Sequence, residues 1–222
     1  MRTELVITAD GSPTLYIPEW KEHYHSVHGA VQESMHVFIR AGLQEGLRTR
    51  NAIRLLEVGL GTGFNALLTA AHLQAFPAVV DYHALEPFPP DPALLAGFNS
   101  EHLAPLGAGA DMFHALHDGA WEFPLKLNAH MTLTKVRSRI NNYTPSAPFD
   151  LVYYDAFAPR VQPELWTPEI FQRVYEMMAP QGILVTYCAK GDVRRAMLET
   201  GFAVERLQGP PGKREMLRAT KL

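Results

Sequence analysis

Three carboxylates in this sequence stand where apolar runs stop. Glu57 follows Leu55-Leu56, Glu86 follows the run from Val79 to Leu85, and Asp155 follows Leu151 to Tyr154. Ligands of open α/β sheets bind at the carboxyl ends of strands, so each acid is a candidate for chemistry. Beyond Glu57 the chain reads Val58-Gly59-Leu60-Gly61-Thr62-Gly63-Phe64-Asn65 and runs into an apolar-periodic segment, 64–76. Glycines there let the backbone turn and approach a ligand without a Cβ clash. The helix N-terminus that follows favours polar or anionic groups. Glu86, past that turn, is placed to accept hydrogen bonds from both hydroxyls of a ribose. Asp155 is followed by Ala156-Phe157-Ala158-Pro159, an aromatic and a proline that stiffens the loop. A carboxylate among aromatics suits an amine nucleophile, which it can hold by hydrogen bonds and relieve of a proton.

The glycine spacing decides which nucleotide-like ligand is expected. A dinucleotide fingerprint, G-x-G-x-x-G, would need its last glycine where Phe64 stands. The pattern E-x-G-x-G-x-G over Glu57, Gly59, Gly61 and Gly63 instead resembles motif I of the Rossmann-like S-adenosylmethionine (SAM) methyltransferases. Glu86 alone serves both cofactors equally.

The elements around these residues alternate. A hairpin is expected over 3–17, with Asp10-Gly11 as its turn. A helical run from Ala30 to about Leu47 follows, with Val31, Met35, Phe38 and Ile39 at helix spacing. Strands are expected at 54–58, 79–86, about 131–137, 150–154 and 182–188, with helices at 64–76, 164–178 and 192–200. The segment 93–130 reads as mostly helical but poorly patterned. A final strand pair, 202–207 and 215–220, supplies an antiparallel edge. The fold class is therefore α/β: a mostly parallel doubly wound sheet with an antiparallel C-terminal edge strand. Residues 1–50 form a small hairpin and helix extension, and 51–222 the Rossmann-like core.

The 222 residues suit one domain. No run of about 18 apolar residues is present to span a membrane, and Met1-Arg2-Thr3-Glu4 lacks a signal-peptide pattern. The single cysteine, Cys188, reads as a buried thiol in a strand. These features lead to the expectation of a cytoplasmic protein without a membrane partner. The net charge of −3 argues against whole-surface nucleic-acid binding, but it is unevenly spread. From Lys190 onward the chain carries +4 and the remainder −7, so a basic end could face a phosphate backbone.

Four segments together go beyond a general class: Tyr24 to Ser34, Glu57 to Asn65, Tyr154 to Pro159 and Gly209 to Leu217. They resemble the family formed by MnmD and the methyltransferase half of the bifunctional tRNA-modifying protein MnmC. The likeness runs from about residue 8 to the C-terminus, and D-A-F-A-P with K-R-E-M-L is its most specific part. It implies SAM-dependent methylation of 5-aminomethyl(-2-thio)uridine at the tRNA wobble position. By it, Glu57, Gly59, Gly61, Gly63, Asn65 and Glu86 would line the cofactor site. Tyr24 and Glu33 would close over the methionine end, Glu33 meeting its ammonium. Asp155 would sit at the aminomethyl nitrogen, Phe157 and Pro159 would shape that pocket, and Lys213 and Arg214 would meet RNA phosphate. Because the likeness lacks the oxidoreductase half, separate enzymes would supply the aminomethyl group.

Two features sit outside that pattern. Many methyltransferases carry an acid after the third strand to contact adenine, but Lys135-Val136-Arg137-Ser138 offers none, which leaves backbone groups or Ser138. His23, His25, His28 and His36 cluster in sequence without a usual zinc spacing, so no metal is expected. Ser26 and Ser34 lack a nucleophile elbow. The rival readings are an aminopropyl- or small-amine transferase, which would want a second acid where Phe157 and Ala158 stand, and a non-catalytic SAM- or RNA-binding module.

Overall fold

The computed structural model describes residues 3–96, 98, 104, 107 and 109–222. Part of the expected 93–130 helical region therefore lies outside the described residues. The described residues form two sheets. The small one joins β1 (Glu4–Ile7), β2 (Pro13–Ile17) and β3 (Glu22–His23), all antiparallel. The large one contains β4 (Ala52–Val58), β5 (Val79–Leu85), β6 (Pro124–Lys126), β7 (Met131–Val136), β8 (Phe149–Tyr154), β9 (Met178–Thr186), β10 (Phe202–Gln208) and β11 (Glu215–Lys221). Its order is β10-β11-β9-β8-β4-β5-β7-β6. The five central strands are parallel, and both edges are antiparallel. Two short strands had no periodic signal: β3, two residues long, and β6, which closes the edge opposite the C-terminal pair.

Strand parity sorts the core into two faces. Ile53 and Leu55 of β4, Tyr82 of β5, Leu151 and Tyr153 of β8 and Ile183 and Val185 of β9 join one cluster, under helices Phe64–Leu73 and Gly109–Asp118. Leu56, Val58, Val152, Tyr154 and Leu184 join the other, under Pro168–Met177 and Gly191–Glu199. Trp166, Ile170, Phe171 and Val174 pack there. Pro168 takes the first turn of its helix, where its missing N–H costs nothing.

The run after Gly29 differs from its expected plain α-helix. It winds as α over Ala30–Ser34, π over Met35–Leu43 and α over Gln44–Leu47. Val37, Phe38 and Ile39 are consecutive and all buried, as are Gly42 and Leu43. That face is wider than the stripe of an α-helix, and the wider π turn carries it against both the sheet and helix Phe64–Leu73. Asp10 fastens the hairpin to this helix, accepting the Gln32 N–H at 3.0 Å while also holding Thr8 and Ser12.

Candidate active site

A cavity of about 330 Å³ opens at the carboxyl ends of the parallel strands. Segments 58–61, 85–88, 138–140 and 155–158, each following a strand, form its floor, and 20–27 of the extension forms its lid. Of the residues singled out in the sequence, Tyr24, Glu33, Gly59, Gly61, Glu86, Asp155, Phe157 and Lys213 line it. Glu57, Gly63, Asn65, Pro159 and Arg214 are not in its wall.

Parity explains Glu57. It lies on the same strand face as Ile53 and Leu55, turned beneath helix Phe64–Leu73 rather than toward the cavity. There it is fully buried, and Asn65 donates to its Oε1 at 2.9 Å. The second hydrogen of the same Asn65 amide goes to Asp155 Oδ2 at 2.8 Å. One amide thus joins a carboxyl below the site to the carboxyl at it. Burial pushes Glu57 well above the usual carboxylate range. Glu57 Oε2 and the Tyr82 hydroxyl have no hydrogen-bond partner within normal geometry among the described residues. A charge there would be costly, and burial favours the neutral form of Glu57.

Asp155 is half-buried. Burial first, and then the Glu33 charge, raise its carboxyl to about 7, against the opposing pull of Asn65 and Lys213. Gly59, at φ +94°, sits against it: a Cβ there would lie 2.7 Å from the Asp155 carbonyl oxygen. Gly59→Ala should therefore push the glycine turn and the Asp155 loop apart. The expected outcome is at least a tenfold loss of SAM affinity, read by calorimetry, with a lowered Tm. Gly63 acts elsewhere, starting the helix at φ +78°, and a Cβ there would meet Leu116 at 2.9 Å.

Glu86 accepts the Gly61 N–H at 3.1 Å and the Phe88 N–H at 2.9 Å, and burial raises its carboxyl. An aromatic gate stands opposite. Trp20 and Tyr24 present edges to Phe157, with ring centroids 5.4 and 5.0 Å apart. Burial, with the Glu86 charge, lifts the Tyr24 phenol to about 12. Arg160 ties the extension to the Asp155 loop, donating to the carbonyls of Trp20 at 3.1 Å and Lys21 at 2.9 Å and pairing with Glu22. Gln162 accepts the Phe157 N–H, and Trp166 donates to the Phe157 carbonyl. Trp20, Arg160, Gln162 and Tyr187 escaped the sequence reading, since their partners are set by tertiary packing.

Lys213 is turned inward, unlike the phosphate contact that the resemblance implies. Its ammonium pairs with buried Glu33 and lies 4.0 Å from the Tyr187 ring centroid, whose hydroxyl donates to the Ala156 carbonyl. A buried carboxylate and an aromatic face outcompete solvent for that cation. Arg214 stays exposed. Lys135, near the strand end where many methyltransferases carry an adenine-contacting acid, is buried and donates to the carbonyls of Leu116 and His117 at a helix C-terminus. Ser138 lines the cavity and donates to the Arg139 carbonyl.

The histidines disperse. His25 stacks on Phe64 and faces Thr14 and Thr62, His23 packs on Tyr16, and His36 reaches the Gln208 carbonyl. Among the described residues no three His, Cys, Asp or Glu side chains converge as a metal site would need. No helix among them is long and apolar enough to cross a membrane.

The chain is similar to known proteins. Residues 112–222 match a family described as S-adenosyl-L-methionine-dependent methyltransferase. The chain is 30% identical to the tRNA 5-methylaminomethyl-2-thiouridine biosynthesis bifunctional protein MnmC of Cupriavidus necator, over 98% of this chain and 34% of that protein. It is 33% identical to the MnmC of Burkholderia mallei, over 96% and 34%. It thus spans about a third of the length of these relatives. Among solved structures, MNMC2 from Aquifex aeolicus superposes with a TM-score of 0.77 at 28% identity, covering 98% of this chain and 70% of that one. Spermidine synthase from Thermotoga maritima, at 12% identity and TM-score 0.61 over 100% and 69%, shares the fold. With half the chain matched by the family and the glycine turn, strand-end acids and parallel sheet in place, this chain belongs to the S-adenosyl-L-methionine-dependent methyltransferases.

Proposed function

We propose that this methyltransferase acts on tRNA, converting 5-aminomethyl(-2-thio)uridine at the wobble position to its 5-methylaminomethyl form. The observation that carries the reading is Asp155: a carboxylate at a strand end, raised toward neutrality and flanked by the Trp20–Tyr24–Phe157 gate. The names of the MnmC relatives agree with it.

The residues present fit S-adenosyl-L-methionine. Glu86 is the acid for ribose hydroxyls, the 59–61 backbone the surface for close approach, and Tyr24 and Glu33 the enclosure for the methionine end. The backbone around Ser138 is left for adenine. The cofactor supplies a methyl group on a positively charged sulfur, open to attack by a neutral amine. Asp155 would hold the acceptor amine by hydrogen bond and take up the proton released as the N–C bond forms and the S–C bond breaks, the sulfur leaving as a neutral thioether. Phe157 and the rigid Pro159 loop orient that amine, and alignment of this kind is worth roughly 7–11 kcal/mol. Residues 1–50 act as the lid on the core 51–222. A cytoplasmic setting completes the reading.

The test is methyl transfer from labelled S-adenosyl-L-methionine to bulk tRNA lacking this modification, followed by nucleoside analysis. Label in 5-methylaminomethyl(-2-thio)uridine is the expected result. Label in no nucleoside, with cofactor binding intact, would overturn the reading in favour of a small-amine acceptor.

A further inference from the structure

Most cations of the basic C-terminal stretch are paired within the chain. Arg195 pairs with Asp192, Arg206 with Glu215, Lys213 with Glu33, and Arg218 with Glu45 and Glu205. Lys221 donates to the carbonyls of Tyr175 and Met178. A polyanion would have to compete with these partners.

A different cationic surface lies at the cavity mouth. Leu85 and Val136 are partners at the carboxyl ends of the parallel strands β5 and β7. The segments that leave those ends carry Phe88 on one side and Arg137 and Arg139 on the other. Because β6 runs antiparallel to β7, with Pro124 opposite Thr134, the residues entering β6 arrive at the same end. These are Trp121 and Phe123, fixed by the Glu122 N–H on the Lys135 carbonyl at 2.8 Å and the Arg137 N–H on Glu122 Oε1 at 2.7 Å.

Each arginine lies over an aromatic face there: Arg139 at 4.9 Å from the Phe88 centroid, Arg137 at 5.1 Å from that of Trp121. Among the described residues neither arginine has a carboxylate within ion-pair distance, and both are exposed. Phe88 is 62% and Phe123 67% exposed, unusual for phenylalanine in a folded chain. Phe88 and Arg139 also line the cavity, so the surface is continuous with the site. Exposed rings offer stacking platforms for unpaired bases, and guanidinium groups lying on them offer phosphate contacts.

We propose that this arginine–aromatic rim, Phe88 with Arg139 and Trp121 with Arg137, seats an unpaired RNA loop beside the cavity. The inference rests on the tRNA reading above and locates the surface that serves it. The paired C-terminal cations Lys213, Arg218 and Lys221 instead hold the fold and the lid.

The test is binding of fluorescently labelled tRNA to the full chain, followed by anisotropy across a salt series without cofactor. Arg137→Gln/Arg139→Gln should weaken binding about 10-fold at moderate salt and lower the log–log salt slope by about 2, one per phosphate contact. Phe88→Ala should weaken it roughly 5- to 100-fold with the slope unchanged, as loss of one stacking platform does. Lys190→Gln/Arg214→Gln, at exposed tail positions, should bind as the parent does. The reverse pattern, tail variants losing affinity and rim variants keeping it, would overturn the rim while leaving tRNA as the substrate. A parent chain that binds and methylates no tRNA would overturn both.

Discussion

Asp155→Asn should lower methyl transfer about 10²- to 10⁴-fold while S-adenosyl-L-methionine binding stays within a fewfold of the parent. That range is what a positioned general base contributes. The variant keeps the shape of the side chain and an oxygen for the Asn65 amide to donate to, so the glycine turn should be undisturbed. The parent's rate should climb with pH through about 7, where the Asp155 carboxyl gives up its proton, and the variant should lose that limb. Turnover at the parental rate would remove Asp155 from its assigned role.

The same substitution makes a stability prediction of opposite sign. Asp155 has its pKa raised on folding, from 3.8 to about 7. Between those values the folded chain holds a proton the unfolded chain has released, so stability falls as pH rises through that window. The asparagine variant lacks this slope. Its Tm should match the parent's near pH 4 and exceed it at pH 8, by an amount corresponding to up to about 4 kcal/mol. A variant both inactive and more stable above neutrality would mark Asp155 as a site where folding free energy is given up for chemistry.

Much of this was legible because it is local. Apolar runs ending in acids located β4, β5 and β8, and the glycine spacing located the turn between β4 and its helix. Glu57 was expected in the cofactor site through the resemblance, yet it shares the face of Leu55, two residues away, and is buried against Asn65 outside the cavity wall. What stayed hidden depends on residues far apart in the chain. Lys213 meets Glu33 across 180 positions and Arg160 meets Trp20 across 140, and no spacing rule reaches so far. Phe88, Arg137, Arg139 and Trp121 come together only once β5, β7 and β6 are placed side by side. The π-helical stretch kept an apolar period close enough to α to conceal its wider turn.

The buried amide of Asn65 is where the second large effect is expected. It donates one hydrogen to Glu57 and the other to Asp155, and its own Oδ1 has no partner among the described residues. Both orientation and protonation of Asp155 then depend on it. Asn65→Ala removes the hydrogen bond that holds the Asp155 carboxyl down, so the acid limb of the rate profile should move to higher pH. Turnover at pH 7 should fall 10-fold or more and recover in part by pH 9. Tm should drop as well, because a buried side chain and two hydrogen bonds to buried carboxyls are lost, a cost of about 2–4 kcal/mol. Stability loss alone cannot move a pH limb, so the two readouts separate positioning from folding. If the limb stays at its parental pH in a folded variant, Asp155 is set by its loop alone. If it moves, the Asp155 carboxyl is tuned from below by a buried side chain outside the cavity wall.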